Sequence, residues 1–204
     1  MKSRWSSNTL PQRWGLPWIL VLATLFRPGE ASSESQQDHQ VRERQVKTLA
    51  RVLAYDENLT GRAEYTVELA VLYRSGSPDS EKEASAWFDA YSKLGSYSIR
   101  GLPFHAFLLP FTTAEAVEKS IVDAKAVALY VCPGLDHELA TIRKISQRRK
   151  ATTVASREEQ MTAGLALGVF PDQGKLVLVV NLPQSRAEGA QFGSELLRLA
   201  KIIQ

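Results

Sequence analysis

An unbroken apolar run, Ala126–Val131, is the feature that most constrains how this chain can fold. It reads Ala-Val-Ala-Leu-Tyr-Val and shows no alternation between polar and apolar residues. A strand of this kind is buried on both faces, which is typical of the centre of a parallel sheet that helices cover on both sides. The run therefore predicts an α/β protein.

The segments around this strand alternate between the two kinds of secondary structure. Strand patterns and helix patterns follow each other from residue 64 to residue 155, and this order favours a three-layer α/β fold with a mostly parallel sheet flanked by helices. The strands are predicted at residues 65–73, 104–109, 126–131 and 151–155. The helices are predicted at residues 46–53, 77–95, 112–124 and 136–150, the third starting with a capping box at Thr112 and Glu115.

The last forty residues predict a hairpin and a final helix. Two strands, 165–170 and 176–182, flank a Pro-Asp-Gln-Gly turn at 171–174. A four-residue turn cannot join parallel neighbours, so the hairpin adds antiparallel pairing at one edge of the sheet. The apolar residues after it recur with a helical period, which predicts a closing helix. They are Phe192, Leu196, Leu199, Ala200 and Ile203.

The amino terminus has the three parts of a secretory signal peptide. Basic residues precede an apolar run at 14–26, and the small residues Gly29 and Ala31 follow at the positions that a signal peptidase reads. The run is well short of the roughly 20 residues that an anchored transmembrane helix needs. We therefore expect residues 1–31 to be a cleaved signal peptide, residues 32–40 a flexible lead-in, and residues 41–204 a single exported domain without direct membrane insertion.

Charge and cysteine content narrow the function classes. Cleavage after Ala31 would remove four of the 25 basic residues and one of the 22 acidic residues, which leaves the two signs balanced. A neutral domain lacks the basic surface that nucleic-acid binding needs. The single cysteine, Cys132, cannot form an internal disulfide, and it can be a packed residue at a strand end or an exposed thiol that links two chains.

The sequence carries no recognisable catalytic, cofactor or metal motif. The histidines His39, His105 and His137 do not share the i, i+4 spacing of a helical metal site. The basic run 148–150 fits the end of a helix, where cations offset the helix dipole, better than an anion site. Ligands of open α/β sheets bind at the carboxyl ends of the strands, so a ligand crevice is predicted beside Cys132, Pro133 and Gly134.

The closing segment resembles the end of the YfiR/HmsC family of bacterial periplasmic proteins. The resemblance rests on Asn181 at the end of the second hairpin strand, on Arg186 and Gly189, and on the run 196–203. It implies a non-enzymatic periplasmic regulator or sensor. Its expected partner is an inner-membrane signalling protein, either a diguanylate cyclase or a sensor kinase.

Two further expectations concern how such a protein would act. If it works by contact, an apolar cluster near the hairpin and the closing segment is the expected partner surface, with Phe170, Leu182 and Phe192 as candidates. The alternative for each of the three is a place in the core. A homodimer is possible. The alternatives are a periplasmic small-molecule binding protein that uses the crevice, and an enzyme, for which the sequence offers no nucleophile and base at a recognisable spacing.

Overall fold

The structure, a computed structural model, describes residues 30–204, with side chains from residue 36 onward. Residues 1–29 of the predicted signal peptide lie outside this range. The first helix, α1, spans Glu30–Ala54 and therefore includes residues 32–40, the predicted flexible lead-in. Its buried residues, among them Val46, Leu49 and Leu53, are those of the predicted amphipathic helix.

One sheet of eight strands organises the described chain. The strands are β1 Val67–Tyr73, β2 Ser98–Ile99, β3 Leu102–Pro110, β4 Ala126–Val131, β5 Thr152–Ala155, β6 Leu167–Asp172, β7 Lys175–Asn181 and β8 Lys201–Ile203. Their order across the sheet is β2-β3-β1-β4-β5-β6-β7-β8. Strands β3, β1, β4, β5 and β6 are parallel to one another, β8 is parallel to β7, and the β2–β3 and β6–β7 pairs are antiparallel. This confirms the predicted α/β class.

Helices cover both faces of this sheet and create two cores. After α1 the described helices are α2 Leu59–Arg62, α3 Pro78–Ser92, α4 Ala114–Asp123, α5 Leu139–Arg149, α6 Glu158–Thr162, α7 Leu182–Ala187 and α8 Ser194–Leu197, and a 3-10 turn at Asp136–Glu138 precedes α5. Helices α1 and α3 pack on one face, around Trp87 and Phe104, and α4 and α5 pack on the other, around Ile121 and Ile142. All six residues of β4 are buried, as their composition predicts.

Two local predictions were displaced by one or two residues. The N-cap of α4 is Thr113, whose hydroxyl accepts a hydrogen bond from the Ala116 N–H, and not Thr112. The hairpin turn has two residues rather than four, because Pro171 and Asp172 continue β6 and pair with β7. Gln173 and Gly174 both have positive φ, as a two-residue turn that matches the strand twist requires.

The predicted closing helix is wrong. After β7 the chain forms the short helices α7 and α8 and then strand β8, which pairs Ile202 with Val180. Leu199, which the helical period places on the buried stripe, is 78% exposed. The apolar residues of this segment are therefore buried partly by strand pairing, which periodicity alone does not reveal.

Candidate functional site

The largest crevice described lies where ligands of open α/β sheets bind. It encloses about 620 Å³ between α1 and α3, above the carboxyl ends of β4 and β5 and beside the end of β6. Cations, anions and short apolar side chains line it together. The lining residues are Asp38, His39, Val41, Arg42, Gln45, Asp79, Lys82, Glu83, Ala86, Pro133, Ser156, Arg157 and Pro171.

One wall of the crevice is a hydrogen-bonded network of three side chains. Arg42 Nη2 of α1 donates to Glu83 Oε2 of α3 at 2.7 Å, and the Tyr130 hydroxyl of β4 donates to Glu83 Oε1 at 2.5 Å. Arg42 Nη1 also lies 3.4 Å from the Tyr130 oxygen. Burial, assisted by the nearby Glu83 carboxylate, raises the pKa of Tyr130 well above its ordinary value. Tyr130 therefore remains a neutral donor, and the network fixes α1 relative to α3.

Packing and backbone contacts hold the same wall in place. The Trp87 ring of α3 lies 5.0 Å from the Tyr130 ring, measured between centroids, on the buried side of the network. Gln45 Nε2 donates to the Val169 carbonyl at 2.9 Å, and Arg44 Nη2 donates to the Gly174 carbonyl at 3.3 Å. Helix α1 is thus tied both to α3 and to the hairpin, and a change in its position would reshape the crevice.

Of the three predicted crevice residues, only Pro133 lines the crevice. Cys132 is fully buried beneath it, its carbonyl accepts from Gln160 Nε2 at 3.2 Å, and burial raises the pKa of its thiol. Gly134 faces α3 instead. Its carbonyl accepts from Arg74 Nε at 2.6 Å, and a Cβ there would meet the Ser77 hydroxyl. Of the residues that line the crevice, α1 and α3 supply most of the polar groups.

The three partner-surface candidates do not form one exposed cluster. Leu182, half-buried, and Phe192, 7% exposed, border a second depression of about 440 Å³ at the carboxyl-terminal segment. Phe170 is buried in the core on the α4 and α5 side of the sheet, so its ring is not available to a partner in this conformation. The other residues of this depression are Asn58, Ser185, Arg186, Gly189, Ala190 and Gln191.

Other polar residues that the sequence analysis considered as possible sites contact neighbouring side chains of the chain itself. Glu118 pairs with Arg148 and Arg149, which holds the pKa of its carboxyl below the ordinary value. His105 is exposed beside Glu68. Between residues 30 and 204, no group of three or more histidine, cysteine or acidic side chains is arranged to hold a metal ion. Among the described helices, none is both long and apolar enough to cross a membrane.

Comparison with known proteins identifies the family. The family model described as DUF4154, YfiR/HmsC-like, matches residues 88–201, which is more than half of the chain. The chain belongs to the YfiR/HmsC-like family. The match includes α3 from Phe88 onward and the strands from β2 to the first residue of β8, whereas α1, which supplies Arg42 to the crevice, precedes it. No curated protein matches the chain.

Solved structures share the fold of this YfiR/HmsC-like chain at low identity. An ABC domain in complex with L-Trp from Streptococcus pneumonia superposes with a TM-score of 0.55 at 16% identity, over 80% of this chain and 62% of that one. A conserved domain protein from Vibrio cholerae gives 0.50 at 12% identity, over 72% and 58%. A substrate-binding protein with adhesive properties from Clostridium difficile, in its ligand-free open form, gives 0.49 at 16%, over 72% and 58%. The chain thus spans about six-tenths of each of these structures.

Proposed function

We propose that this protein is a periplasmic regulator that acts by contact with a signalling protein of the inner membrane. Membership of the YfiR/HmsC-like family, whose members are regulatory, carries this proposal. The amino-terminal sequence supports export, because a basic segment, a short apolar run and small residues precede Ser32. The partner, by resemblance, is a diguanylate cyclase or a sensor kinase, and the action is binding rather than turnover.

The depression at the carboxyl-terminal segment is the proposed contact surface. Leu182 and Phe192 give it an apolar floor, and the exposed residues Arg186 and Gln191 form part of its polar rim. An apolar centre inside a polar rim is the usual arrangement of a protein interface. Phe170 does not contribute to this surface, because its ring packs in the core.

Deletion of the gene tests the regulatory proposal, with cyclic di-GMP and surface attachment as the readouts. We expect both to change, and we expect restoration by the intact gene. A gene that carries Arg186→Glu, on the rim of the depression, should restore neither output fully. Less membrane partner should copurify with this variant than with the wild type. Arg51→Glu, an exposed residue of α1, is the matched control. Unchanged outputs on deletion, together with no recovered partner, would contradict the proposal.

The crevice supports a second candidate function, binding of a small polar molecule. It combines about 620 Å³ of space with charged groups of both signs, and convergent polar groups of this kind can orient a bound ligand. One protein with a similar fold is described in complex with L-Trp, and this likeness supports the fold comparison alone.

A thermal-shift screen of polar metabolites tests this second function. A true ligand should raise the melting temperature of the exported protein and should lose its effect in Arg42→Gln, because that change removes the bond to Glu83. Arg51→Gln, on the exposed side of the same helix, should respond like the wild type. A stabilising ligand that is insensitive to Arg42→Gln would place the site elsewhere.

A further inference from the structure

A pocket at the amino ends of β4 and β5 is lined by four cations. It encloses about 210 Å³ and lies at the opposite end of the sheet from the crevice, because Ala126 and Val127, which line it, begin β4. Ile121 and Val122 of α4 add apolar surface. Among the described residues that line it, none is acidic. The cations that define this basic pocket are Arg62, Lys125, Arg149 and Lys150.

Three separate parts of the chain supply these cations. Arg62 ends α2, and Lys125 lies between α4 and β4. Arg149 and Lys150 lie at the end of α5. A cation at the carboxyl end of a helix offsets the helix dipole, which accounts for a basic residue at each position. The dipole does not account for the meeting of all four side chains at one pocket.

Three of the four cations keep donors that no contact within the described chain uses. Arg149 donates through Nε to Glu118 Oε1 at 2.8 Å. Lys150 Nζ donates to one backbone carbonyl at 3.0 Å, and Lys125 Nζ pairs with Glu64. A guanidinium carries five N–H donors and an ammonium three. Most of these donors therefore remain for a bound group.

The carboxylates that pair with the cations are too few to balance them. Arg148 and Arg149 share one carboxylate, that of Glu118. The Lys150 ammonium contacts a carbonyl and, within the described chain, no carboxylate, and the other two cations of the pocket have one carboxylate each. Five cations thus face three carboxylates. The surplus exceeds the partial negative charge of about one half that each of the helix ends of α4 and α5 contributes.

The backbone at the two lysines supports a role for their side chains. Lys125 has a φ of +53° and Lys150 a φ of +54°. Glycine is the usual residue where a helix ends in this left-handed conformation, because a Cβ is strained there. The chain nevertheless has a lysine at both positions, and both lysines line the same pocket.

Arg62 is the least exposed of the four cations and is held in place. Its Nη1 donates to the Lys150 carbonyl at 2.5 Å and to the Val127 carbonyl at 3.2 Å, and its Nη2 pairs with Asp56. Its Nε is buried and has no hydrogen-bond partner among the described residues. Arg62 therefore gives the pocket a fixed positive charge, whereas the exposed side chains of Lys125 and Arg149 can adjust to a bound group.

We infer that the basic pocket binds the phosphate group of a small phosphate monoester. Such a group carries nearly two negative charges at neutral pH and has three acceptor oxygens, so it can accept from Lys125, Arg149 and Lys150 together. A carboxylate has only two oxygens. A water molecule takes about 30 Å³ of liquid volume, so the pocket has room for a phosphate group and a short substituent. The apolar side chains of Ile121 and Val122 suit the carbon atoms of that substituent.

Calorimetric titration of the exported protein in a phosphate-free buffer tests the proposal. Glycerol 3-phosphate should bind, inorganic phosphate should bind more weakly, and acetate at the same ionic strength should not bind. Arg149→Gln should weaken the binding of glycerol 3-phosphate at least about tenfold, the range for a hydrogen bond to a charged group. Arg148→Gln is the matched control, because Arg148 shares Glu118 with Arg149 but does not line the pocket. It should bind like the wild type.

Substitution of Lys150 separates binding from folding. Lys150→Asn removes the ammonium but keeps a residue that tolerates positive φ, so its melting temperature should stay close to that of the wild type while binding weakens at least about tenfold. Lys150→Arg keeps the charge and should keep most of the affinity. Lys144→Gln, at an exposed residue of α5 outside the pocket, should bind like the wild type.

Four outcomes would overturn the inference. The first is a wild-type protein that binds neither phosphate at millimolar concentration. The second is equal weakening by Arg148→Gln and Arg149→Gln, which would indicate a general effect of charge. The third is acetate binding as tight as that of glycerol 3-phosphate. The fourth is binding to phosphatidylglycerol vesicles without binding of glycerol 3-phosphate, which would assign the cations to a lipid surface.

Discussion

Two buried carboxylates hold the carboxyl-terminal segment, and different kinds of groups stabilise them. Asp56, at the end of α1, has no exposed surface and pairs with Arg62. It also accepts backbone hydrogen bonds from Asn58 at 3.0 Å and Gln191 at 2.8 Å. A cation therefore lies against this charge, and the same carboxylate fixes the segment that carries Phe192.

Glu188, just after α7, is equally buried but contacts no cation in the part of the chain that the structure describes. Four neutral donors surround it: the Ser146 hydroxyl at 2.6 Å, the Thr153 N–H at 2.7 Å, the Thr153 hydroxyl at 2.8 Å and Gln184 Nε2 at 2.8 Å. Burial raises the pKa of Glu188, and the hydrogen bonds oppose that rise. Asp56 thus combines an ion pair with two backbone hydrogen bonds, whereas the donors around Glu188 are all neutral.

Removal of Asp56 should have the largest effect. Asp56→Ala leaves the Arg62 guanidinium, whose side chain is 12% exposed, without its carboxylate. Breaking a buried pair in this way costs about 3–5 kcal/mol, which we expect in the free energy of unfolding measured with urea. Asp123→Ala, which breaks the exposed Lys119–Asp123 pair, is the control and should cost less than about 1 kcal/mol. Equal losses in both variants would contradict the distinction.

Replacement of Glu188 by glutamine should cost less. The variant Glu188→Gln keeps the volume, but its amide nitrogen replaces one of the two carboxylate oxygens and then faces a donor, either the Ser146 hydroxyl or the Thr153 N–H. We expect a loss of about 1–3 kcal/mol in the free energy of unfolding, the range for a buried polar group left unsatisfied. We expect a carboxylate held by neutral donors to be easier to replace than one held in an ion pair. A loss as large as that of Asp56→Ala would contradict this expectation.

The sequence predicts the sheet better than it predicts these anchors. The apolar run of β4 and the helix patterns of α3, α4 and α5 are local, so short stretches of sequence are enough to find them. Asp56 and Gln191 are 135 residues apart, and Ser146 and Glu188 are 42 residues apart, so their contacts exist only after the sheet has formed. The closing helix was wrong for the same reason, since pairing with β7 is not a local property.

The crevice shows what the sequence can indicate and what it cannot. Its position follows from the carboxyl ends of parallel strands, which the order of elements already indicates. The residues of its wall do not follow, because Arg42 is 41 residues from Glu83, and Glu83 is 47 residues from Tyr130. None of the three belongs to a recognisable motif, and only the packing of α1 beside α3 brings them together.

Removal of a single donor should sharpen the comparison further. Ser146→Ala deletes one of four hydrogen bonds to Glu188 and leaves the other three in place. We expect a loss of about 0.5–1.5 kcal/mol in the free energy of unfolding, the net value of one hydrogen bond. The same change in a Glu188→Gln background should cost less than in the wild type, because the two residues share one network. Additive losses would show that Ser146 acts independently of Glu188.

The smallest expected effect is a dependence of stability on pH. Burial raises the pKa of Glu188, and the four donors offset part of that rise. A carboxyl with a raised pKa in the folded state binds its proton more tightly there than in the unfolded chain. Its contribution is therefore complete below the ordinary value of 4.5 and is lost as the pH rises through the folded pKa. The free energy of unfolding of the wild type, relative to Glu188→Gln, should fall as the pH rises above 4.5. Urea titrations of both proteins between acidic and neutral pH measure this difference, and a difference that rises with pH would reverse the assignment.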